Sequence, residues 1–448
     1  MTENTNKKIV TRFAPSPTGL FHIGSARVAL FNYLFTKQNN GEFLLRIEDT
    51  DEARNKPEWT EMIYDSLKWL GIEYTKSFVQ SERTETYKKY LEKLISEDKA
   101  YVSKEEVKEE GQRAEVIRFR NPNKKVKFND LIRGEIEFDT TELKDFIIAK
   151  SLTEPIFHIT NVIDDFESGV THAIRGDDHI SNTPRQILIF EAIGGVPPIY
   201  AHLPLILSET REKLSKRKHG ELVSVAYYQK EGYLPQAFIN FMVFLGWNPG
   251  GEQEIFSIDE LIQRFDITKV QKSGAIFNRE KLLWFNKEYI KRLDKETLEH
   301  KIFRKLSAKY TVEKTILEKI APIIVDRINT FGELEKYVTE GEFDYFFLPP
   351  TPIKEMLIWK KDTDFSIPKN NLLKISEMIK NIPTGDFTEE KLKSALMPTA
   401  EELGKGSVLW PLRVSLSGKD KSPDPFTLLA ILGKDESLNR IQKAITLI

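Results

Sequence analysis

The alternation of hydrophobic and polar positions in the N-terminal part of the chain predicts strands and helices in turn. A short strand is followed by a helix that is apolar nearly all round, which indicates burial. The predicted elements are strands at 8–12 and 41–48 and helices at 24–37, 57–70 and 83–97. Strands and helices that alternate at this spacing are typical of a parallel, doubly wound α/β sheet. Such sheets bind ligands outside the carboxyl ends of their strands, where residues 14–19 and 48–51 fall.

The pattern changes near Lys99. Residues 103–127 are charged and predict irregular structure, and a β-rich stretch at 127–148 follows, which indicates an inserted module. Strand and helix patterns then resume at 156–163, 181–193 and 200–207. Helical periodicity dominates from about Glu221 to the end. A chain of 448 residues exceeds the usual size of one core, so roughly two to four domains are expected.

The charge balance gives no sign of a nucleic-acid binder. Lys and Arg number 66 and Asp and Glu 68, for a net charge of -2, so any RNA contact has to come from local basic patches. The chain has no cysteine, which excludes disulfides and thiolate zinc sites. It shows neither a signal-peptide pattern nor an apolar run of about 18 residues. We therefore expect a cytoplasmic protein without a membrane span.

A loop rich in proline, serine and glycine joins the first predicted strand to the buried helix. It runs Pro15-Ser-Pro-Thr-Gly-Leu-Phe-His22-Ile-Gly24-Ser25, and its glycines allow close approach of a ligand. The helix start behind it offers unpaired N–H groups to a phosphate. A P-loop would need Lys-Ser/Thr after the second glycine, where this chain has Ser25-Ala26, so a Walker site is disfavoured. On this loop alone, a βα turn with a structural histidine is an equally good interpretation.

A second motif, Arg211-Glu-Lys213-Leu-Ser-Lys216-Arg-Lys-His219, follows a predicted strand. By itself it is better interpreted as a solvated basic loop. Together, the His-Ile-Gly turn and the Lys-Leu-Ser-Lys-Arg segment resemble the paired HIGH and KMSKS signatures of class I aminoacyl-tRNA synthetases.

Further blocks narrow this resemblance to the glutamyl branch of the class. In family order they are Arg12-Phe-Ala-Pro-Ser-Pro-Thr-Gly19, Leu45-Arg-Ile-Glu-Asp-Thr-Asp51, Asn161-Val-Ile-Asp-Asp165 and Ile174-Arg-Gly-Asp-Asp-His179. The similarity extends nearly to the end of the chain through Phe277-Asn-Arg-Glu-Lys-Leu-Leu-Trp-Phe-Asn286 and Trp410-Pro-Leu-Arg-Val-Ser-Leu-Ser-Gly418. The chain is therefore identified as a member of the bacterial-type glutamyl-tRNA synthetases.

The resemblance implies an α/β class I synthetase fold. A Rossmann-like catalytic domain with an inserted acceptor-binding module would be followed by mainly α-helical C-terminal domains. The implied modules are catalytic halves at 1–98 and 151–220 (the second with the KLSKR loop), an acceptor-end-binding insertion at 99–150, a helical stem-contact domain at 221–310 and a helical anticodon-binding domain at 311–448. The related glutaminyl enzymes have β-barrels in place of these helices, and a shorter relative that modifies a tRNA base lacks such a module.

The resemblance also implies an amino-acid site. The arginine fork pairs with a carboxylate through two parallel bonds, and the family gives this role to Arg12 and Arg175. Glu48 would receive the substrate ammonium group. The implied glutamate-binding residues are Arg12, Ala14, Ser16, Glu48, Phe157 (through its backbone), Asn161 and Arg175. Other roles stay open for two of these residues. Arg175 could instead form an ion pair with Asp177 or Asp178, and Glu48 could instead pair with Arg46 or cap a helix.

For ATP, the resemblance implies residues from both signature motifs. His22 would donate a hydrogen bond to phosphate oxygens, and Lys216, supported by Lys213, would neutralise the triphosphate from a mobile loop. The implied ATP-binding residues are Thr18, His22, Gly24, Asp178, Leu214, Ser215 and Lys216, and the implied catalytic residues are His22, Lys213 and Lys216. Mg²⁺ would arrive with ATP and keep most of its waters. The carboxylate pairs Asp49/Asp51 and Asp164/Asp165 are better interpreted as turn and structural residues than as a metal cage.

The implied partners are L-glutamate and tRNA(Glu), and charging of tRNA(Gln) stays open. A monomer is the family expectation. The basic run at 118–127 would supply positive charge for the acceptor-end phosphates, with a solubilising loop as an equal alternative.

The chain departs from the family pattern in three places. The insertion is short and lacks the cysteines with which some relatives bind zinc, so no structural zinc is expected. Phe157 stands where a tyrosine is usual, and the lost hydroxyl is worth about 1 kcal/mol of substrate binding. The pair Asp177-Asp178 is one methylene shorter than the usual Glu-Asp, which bears on the ATP contact of Asp178.

Two other functions compete with the synthetase. A small-molecule nucleotidyltransferase also has a histidine loop before a helix, but such enzymes are far shorter and have no use for the helical C-terminal third. An RNA-binding paralogue without catalysis is disfavoured because His22, Lys213 and Lys216 are all present.

Overall fold

The structure is a computed structural model that describes residues 8–51, 53–106, 114–360 and 362–448. Its chain divides into two compact units, Met1–Asn286 and Lys287–Ile448. The finer division into catalytic halves, insertion, stem-contact and anticodon modules stays a prediction. Within the described ranges, no helix is both long and apolar enough to cross a membrane.

The strands all belong to the first unit. They are β1 (Val10–Phe13), β2 (Glu42–Ile47), β3 (Lys76–Val79), β4 (Ala100–Lys104), β5 (Glu115–Phe119), β6 (Lys125–Asp130), β7 (Gly134–Asp139), β8 (Phe146–Ser151), β9 (Glu154–Pro155), β10 (His172–Gly176), β11 (Ile199–Leu203), β12 (Ile206–Leu207) and β13 (Ala275–Ile276).

Helices are the other main elements of the described residues in both units. The first ten are α1 (Ile23–Gln38), α2 (Pro57–Trp69), α3 (Thr84–Ser96), α4 (Phe157–Glu167), α5 (Thr183–Ile193), α6 (Lys216–His219), α7 (Val225–Lys230), α8 (Pro235–Phe244), α9 (Ile258–Arg264) and α10 (Arg279–Lys291). The second unit contains α11 (Lys295–Leu306), α12 (Lys314–Arg327), α13 (Phe331–Thr339), α14 (Asp344–Phe347), α15 (Ser366–Asn381), α16 (Glu389–Leu403), α17 (Lys405–Ser417), α18 (Pro425–Leu432) and α19 (Lys434–Leu447).

Two groups of parallel strands meet at the centre of the first unit. Strands β1, β2 and β3 pair in that order, and β10 pairs with β11, which pairs with β6. Thr171, just before β10, donates its N–H to the carbonyl of Val10 at 2.9 Å, so β10 lies beside β1. The predicted parallel, doubly wound sheet is confirmed, and its strand order reverses between β1 and β10.

Helix α1 packs against strands from both halves of this sheet and against other helices. Its side chains Ala26, Leu30, Phe31 and Leu34 are fully buried, as the all-apolar sequence pattern predicts. The helix also contacts β1, β10, α8 and α9. Burial on all sides fixes the position of its N-terminus, where the first sequence motif lies.

The inserted segment contains more regular structure than predicted. An antiparallel sheet of β4, β5, β8 and β9 forms there, and β6 and β7 form a hairpin whose first strand joins the central sheet. The prediction of irregular structure over 103–127 is wrong for β5 and for the start of β6, whose later residues lie in the stretch predicted to be β-rich. Their charged residues alternate with buried ones such as Ile117, Phe119 and Val126, which is a strand pattern hidden by high charge. Residues 107–113 of that stretch lie outside the described residues.

The regular secondary structure in the described residues of the second unit is helical, as the sequence predicts. Helix α15 buries Leu372, Ile375 and Ile379, which lie at helical spacing on one face. Asp424 caps α18 by accepting hydrogen bonds from two backbone N–H groups of its first turn. The unit therefore has its own apolar core.

Candidate active site

A cavity of about 1030 Å³ opens at the carboxyl ends of β1, β2 and β10. The strand order reverses at this edge, which is the usual place for a ligand in such a sheet. Every site residue predicted from the sequence lines the cavity except Ser215 and Lys216. The lining residues among them are Arg12, Ala14, Ser16, Thr18, His22, Gly24, Glu48, Phe157, Asn161, Arg175, Asp178, Lys213 and Leu214.

Buried ion pairs hold the wall of this cavity to which Arg12 and Glu48 belong. Asp165 of α4 accepts from Nε of Arg12 at 3.0 Å and from Nη1 of Arg46 at 2.6 Å. Nε and Nη2 of Arg46 both donate to Oε1 of Glu48, at 3.2 and 3.0 Å. All four side chains are buried, so each charge depends on its partners for solvation. The pairs join β1, β2 and α4 and hold Arg12 and Glu48 in place.

The same network leaves Arg12 and Glu48 with unused atoms. Among the described residues, Nη1 and Nη2 of Arg12 and Oε2 of Glu48 have no hydrogen-bond partner. Burial raises the pKa of Glu48, and the contact with Arg46 opposes this shift. A ligand ammonium group would also favour the ionised carboxylate. The wall therefore offers two donors and one anionic acceptor to a ligand.

Helix α4 brings two further predicted residues to the cavity. Nδ2 of Asn161 donates to Oε1 of Glu48 at 3.3 Å, and its Oδ1 accepts from Nε2 of Gln186 at 3.0 Å. Phe157 is the first residue of α4, so its backbone N–H has no carbonyl partner within the helix. Its ring contacts His179, with the ring centres 5.5 Å apart. Phe157 thus presents an aromatic face and a backbone donor in place of a tyrosine hydroxyl.

Backbone hydrogen bonds hold the proline-rich loop across the end of β2. The N–H of Glu48 donates to the carbonyl of Pro15, and the N–H of Thr18 donates to the carbonyl of Ser16, both at 2.9 Å. These bonds hold the loop at the sheet edge and keep Ala14, Ser16 and Thr18 at the cavity.

Arg175 lies near the end of β10 among neutral partners. Its Nε donates to Nε2 of His202 at 3.1 Å, and its Nη2 donates to Oγ1 of Thr183 at 2.8 Å. Burial lowers the pKa of Arg175 to about 10, because no carboxylate among the described residues bonds to it. A cation in this environment favours an anionic ligand.

The two aspartates after β10 have different surroundings. Asp177 pairs with Nη2 of Arg133 at 3.0 Å, so the alternative of an ion pair with Arg175 is not found in the described structure. Asp178 lines the cavity, and its Oδ1 would lie 2.5 Å from a Cβ added to Gly176. Only glycine fits at that position while Asp178 keeps this conformation.

His22 is the N-cap residue of α1. Its Nδ1 accepts the N–H of Gly24 at 2.9 Å, so a neutral ring carries its proton on Nε2. Burial lowers the pKa of His22, and a hydrogen bond to the backbone of Leu214 opposes the shift. The imidazole thus connects the start of α1 to the basic motif.

The basic motif forms a turn at 208–212 and the short helix α6. Lys213 follows the turn and lines the cavity. Lys216 begins α6 after Ser215, and its Nζ lies 5.9 Å from the ring centre of Trp59 on α2. The structure therefore does not bring Ser215 and Lys216 to the cavity, because the start of α6 directs the Lys216 amine toward α2.

The carboxylate pairs interpreted as turn and structural residues have partners within the protein. Asp49 accepts hydrogen bonds from the N–H and Oγ of Ser81 at 2.9 and 2.7 Å, and Asp51 pairs with Arg54. Asp164 is fully buried and accepts from Gln80, Arg83 and Tyr87. Over the described ranges, no group of three or more His, Asp and Glu side chains could hold a metal ion.

Basic residues of the inserted segment are paired with carboxylates. The ion pairs are Arg118–Glu105 at 2.8 Å, Arg120–Asp98 at 2.8 Å, Lys124–Glu191 at 2.6 Å, Lys125–Glu137 at 2.9 Å and Lys127–Glu137 at 2.7 Å. Largely exposed pairs of this kind stabilise a fold little, but they reduce the positive potential of the run at 118–127. The pairing favours the alternative of a solvated surface over a phosphate-binding one.

Sequence reasoning missed the groups behind Arg175. Asp130, His202 and Thr183 are buried next to it and do not line the cavity. A histidine within the apolar run at 199–207 was an available hint, because a buried imidazole needs hydrogen-bond partners. No sequence pattern connects that histidine to Asp130, which is distant along the chain.

Known proteins resemble this chain over nearly its whole length. The family model for the catalytic domain of class I tRNA synthetases (E and Q) matches residues 8–115 and 103–284, and the model for an anticodon binding domain matches 287–445. A glutamate–tRNA ligase of Methylacidiphilum infernorum is 36% identical over 453 residues, which cover 97% of this chain and 97% of that protein.

Solved structures agree with these matches. A glutamate tRNA ligase of Elizabethkingia meningosepticum, in complex with its amino acid, has a TM-score of 0.89 and 34% identity over 98% of this chain and 99% of its own. A glutamate-tRNA synthetase of Elizabethkingia anophelis has a TM-score of 0.84 and 33% identity over 98% of this chain and 100% of its own. The chain therefore belongs to the glutamate–tRNA ligase family of class I aminoacyl-tRNA synthetases.

Proposed function

We propose that this enzyme activates L-glutamate with ATP as glutamyl-adenylate and transfers the glutamyl group to the 3′-terminal ribose of tRNA(Glu). The charge arrangement of one cavity carries the proposal: its buried charged lining residues are the arginines Arg12, Arg27 and Arg175 and the carboxylate Glu48. Arg27 donates to the backbone carbonyls of Leu245 and Pro204, which leaves Arg12, Arg175 and Glu48 for the ligand. Glutamate, with two carboxylates and one ammonium group, matches these charges in sign. The neutral amide of glutamine would leave one arginine without an anionic partner, which is costly in a buried site.

Adenylation needs positioning and charge stabilisation from the protein. A carboxylate oxygen of glutamate attacks the α-phosphorus of ATP, the bond from that phosphorus to the bridging oxygen breaks, and pyrophosphate leaves with the electron pair. No covalent enzyme intermediate forms. The N-terminus of α1, with His22 and Lys213 beside it, supplies donors and positive charge for the phosphates, while Mg²⁺ arrives with ATP. The nucleotide contacts are assigned to Thr18, His22, Gly24, Asp178, Leu214, Ser215 and Lys216.

Lys216 contributes only after its segment moves. Its amine lies over Trp59, outside the cavity, in the structure described above. In the proposed mechanism, residues 213–219 move toward α1 when ATP binds, and the Lys216 amine then neutralises the triphosphate. The force for this motion is the attraction between the basic segment and the phosphates.

Transfer to tRNA completes the reaction. The 2′-hydroxyl oxygen of the terminal ribose attacks the carbonyl carbon of the adenylate, and AMP leaves as the C–O bond to its phosphate breaks. We assign the anticodon to the helices at 311–448, the stem to 221–310 and the acceptor end to the insertion at 99–150. The enzyme acts as a cytoplasmic monomer in this account, and charging of tRNA(Gln) is decided by measurement.

Exchange of radiolabelled pyrophosphate into ATP tests the proposal. The purified full chain is given tRNA(Glu), Mg-ATP and one amino acid: glutamate, glutamine or aspartate. The proposal predicts exchange with glutamate and a rate at least a hundredfold lower with glutamine, because a buried arginine left unpaired costs about 3 kcal/mol or more. Equal exchange with glutamine would refute the assigned pocket. Binding of tRNA without any exchange would support the RNA-binding paralogue.

A further inference from the structure

The guanidinium of Arg175 is held from behind by two side chains that do not line the cavity. Nε donates to Nε2 of His202 at 3.1 Å, and Nη2 donates to Oγ1 of Thr183 at 2.8 Å. The ring of Tyr200 lies under the guanidinium, 5.2 Å from its carbon. Only Nη1 has no partner among the described residues. Two fixed bonds to a planar group determine where its third nitrogen points.

The bond from Arg175 requires one particular tautomer of His202. Nε2 can accept from Nε–H of Arg175 only when the ring proton lies on Nδ1. Nδ1 is 2.6 Å from Oδ2 of Asp130, and the carboxylate accepts a hydrogen bond from the Nδ1–H group. Both side chains are fully buried, and burial lowers the pKa of His202, which keeps the ring neutral. The chain of hydrogen bonds therefore runs from Arg175 to Nε2 of the ring, and the ring donates its Nδ1–H to Asp130.

The backbone fixes Asp130 in turn. Its Oδ1 accepts the N–H groups of Ile132 at 2.9 Å and Arg133 at 2.8 Å, and the N–H of His202 reaches both carboxylate oxygens. Although burial opposes it, these bonds and the bond from His202 lower the pKa of Asp130. Asp130 is the last residue of β6, which pairs with β11 at Tyr200. The segment assigned to tRNA binding thus also supplies a group to the wall of the catalytic cavity.

We propose that Asp130 and His202 are positioning residues for glutamate: Asp130 sets the tautomer of His202, and His202 then holds Arg175 with Nη1 toward the substrate carboxylate. Thr183 is the second support of the same guanidinium. The inference rests on the proposed function, because it takes glutamate as the anion that Arg175 binds. It assigns to the inserted segment a role in amino-acid capture that is separate from tRNA binding.

The substitution Asp130→Asn tests this with little change of shape. An asparagine can keep its oxygen on the N–H groups of Ile132 and Arg133 and place its amide nitrogen where Oδ2 was. That nitrogen donates to Nδ1 of His202, so the ring proton moves to Nε2. Nε2–H and the Nε–H of Arg175 are then two donors facing each other, and the bond between them is lost. The guanidinium of Arg175 then loses one of the two hydrogen bonds that fix its orientation.

The measurement is steady-state charging of tRNA(Glu) by the full chain, with KM determined for glutamate, ATP and tRNA separately. Asp130→Asn is expected to raise the KM for glutamate about tenfold or more, as the loss of a bond to a charged group does, with KM for ATP and tRNA within about twofold of wild type. A KM for glutamate that stays at the wild-type value in folded Asp130→Asn would overturn the proposal. So would equal increases in all three KM values, which would indicate a general structural defect.

A second pair of variants covers the case in which Asp130→Asn does not fold. Thr183→Val removes the hydroxyl that accepts from Nη2 and keeps the shape, whereas Thr183→Ser keeps the hydroxyl. The proposal predicts a raised KM for glutamate in the valine variant and a wild-type value in the serine variant. Identical KM values in the two would refute it. Failure of the proposed function would give a different result from failure of this inference, because the wild-type enzyme would then not charge tRNA with glutamate at any concentration.

Discussion

Replacement of Glu48 by glutamine tests the proposed amino-acid site. Among the cavity residues assigned to glutamate, Glu48 is the only buried anion. In the structure, Oε1 of Glu48 accepts from Arg46 and Asn161, and Oε2 is unpaired among the described residues. A glutamine can keep its oxygen toward Arg46 and place its NH₂ where Oε2 was. Arg46 therefore keeps a hydrogen-bond acceptor and its ion pair with Asp165, while the group assigned to the substrate ammonium changes from an anionic acceptor to a neutral donor.

The expected magnitude follows from that exchange. A hydrogen bond between two charged groups contributes about 1.5–3 kcal/mol, and the donor that replaces Oε2 faces the substrate's N–H groups, so the loss lies at about 2–3 kcal/mol. At about 1.4 kcal/mol for each factor of ten, KM for glutamate should rise about 30- to 150-fold. KM for ATP should change little, because the assigned phosphate contacts lie on the proline-rich loop, the N-terminus of α1 and the basic motif.

The assay is charging of tRNA(Glu) over a range of glutamate concentrations, with thermal unfolding recorded for each variant. Glu42→Gln is the matched control: it lies at the start of the same strand, is paired with Lys8 at 2.8 Å, and does not line the cavity. It should keep the wild-type KM. A folded Glu48→Gln enzyme whose KM for glutamate is within twofold of wild type would refute the assignment of Glu48 to the ammonium group.

Three further predictions concern the rest of the cavity. Lys216→Ala should lower the rate of pyrophosphate exchange about a hundredfold or more, as the loss of a positioned charge does. The control is Lys218→Ala, which should stay near the wild-type rate, because the Lys218 amine pairs with Glu212. Equal rates in the two variants would remove Lys216 from the mechanism. Arg175→Ala should raise KM for glutamate at least tenfold and leave KM for ATP unchanged, and an unaltered KM for glutamate would contradict its role. Because burial raises the pKa of Glu48 above its ordinary 4.5, protonation removes the anionic acceptor as pH falls through that raised value. The acidic limb of kcat/KM for glutamate should then lie above that ordinary value and disappear in Glu48→Gln; a wild-type limb at the ordinary value would argue against this cause.

Elements with strong local patterns were predicted well from the sequence. The helix expected at 24–37 is α1, Ile23–Gln38, and the strand expected at 41–48 is β2, Glu42–Ile47. A turn that contains glycine precedes each of these segments, and burial on all sides makes both segments largely apolar. Strand β5 and the start of β6 were missed because their exposed positions carry so many charges that the alternation is obscured.

The site was predictable only where residues lie in recognisable motifs. Arg12, Glu48 and Arg175 belong to such blocks, and all three line the cavity. The support of Arg175 by His202 and Asp130 joins positions 72 residues apart in sequence, and a single chain contains no pattern that pairs them. The distance of Lys216 from the cavity depends on the conformation of a short helix, which local propensity does not determine.

The central claim is tested most directly by charging with radiolabelled glutamate and Mg-ATP in the presence of tRNA(Glu), tRNA(Gln) or neither. The account predicts acid-precipitable glutamyl-tRNA with tRNA(Glu) and none without tRNA, and the tRNA(Gln) reaction distinguishes a strict enzyme from a relaxed one. Folded protein that binds tRNA(Glu) but charges neither tRNA would contradict the account.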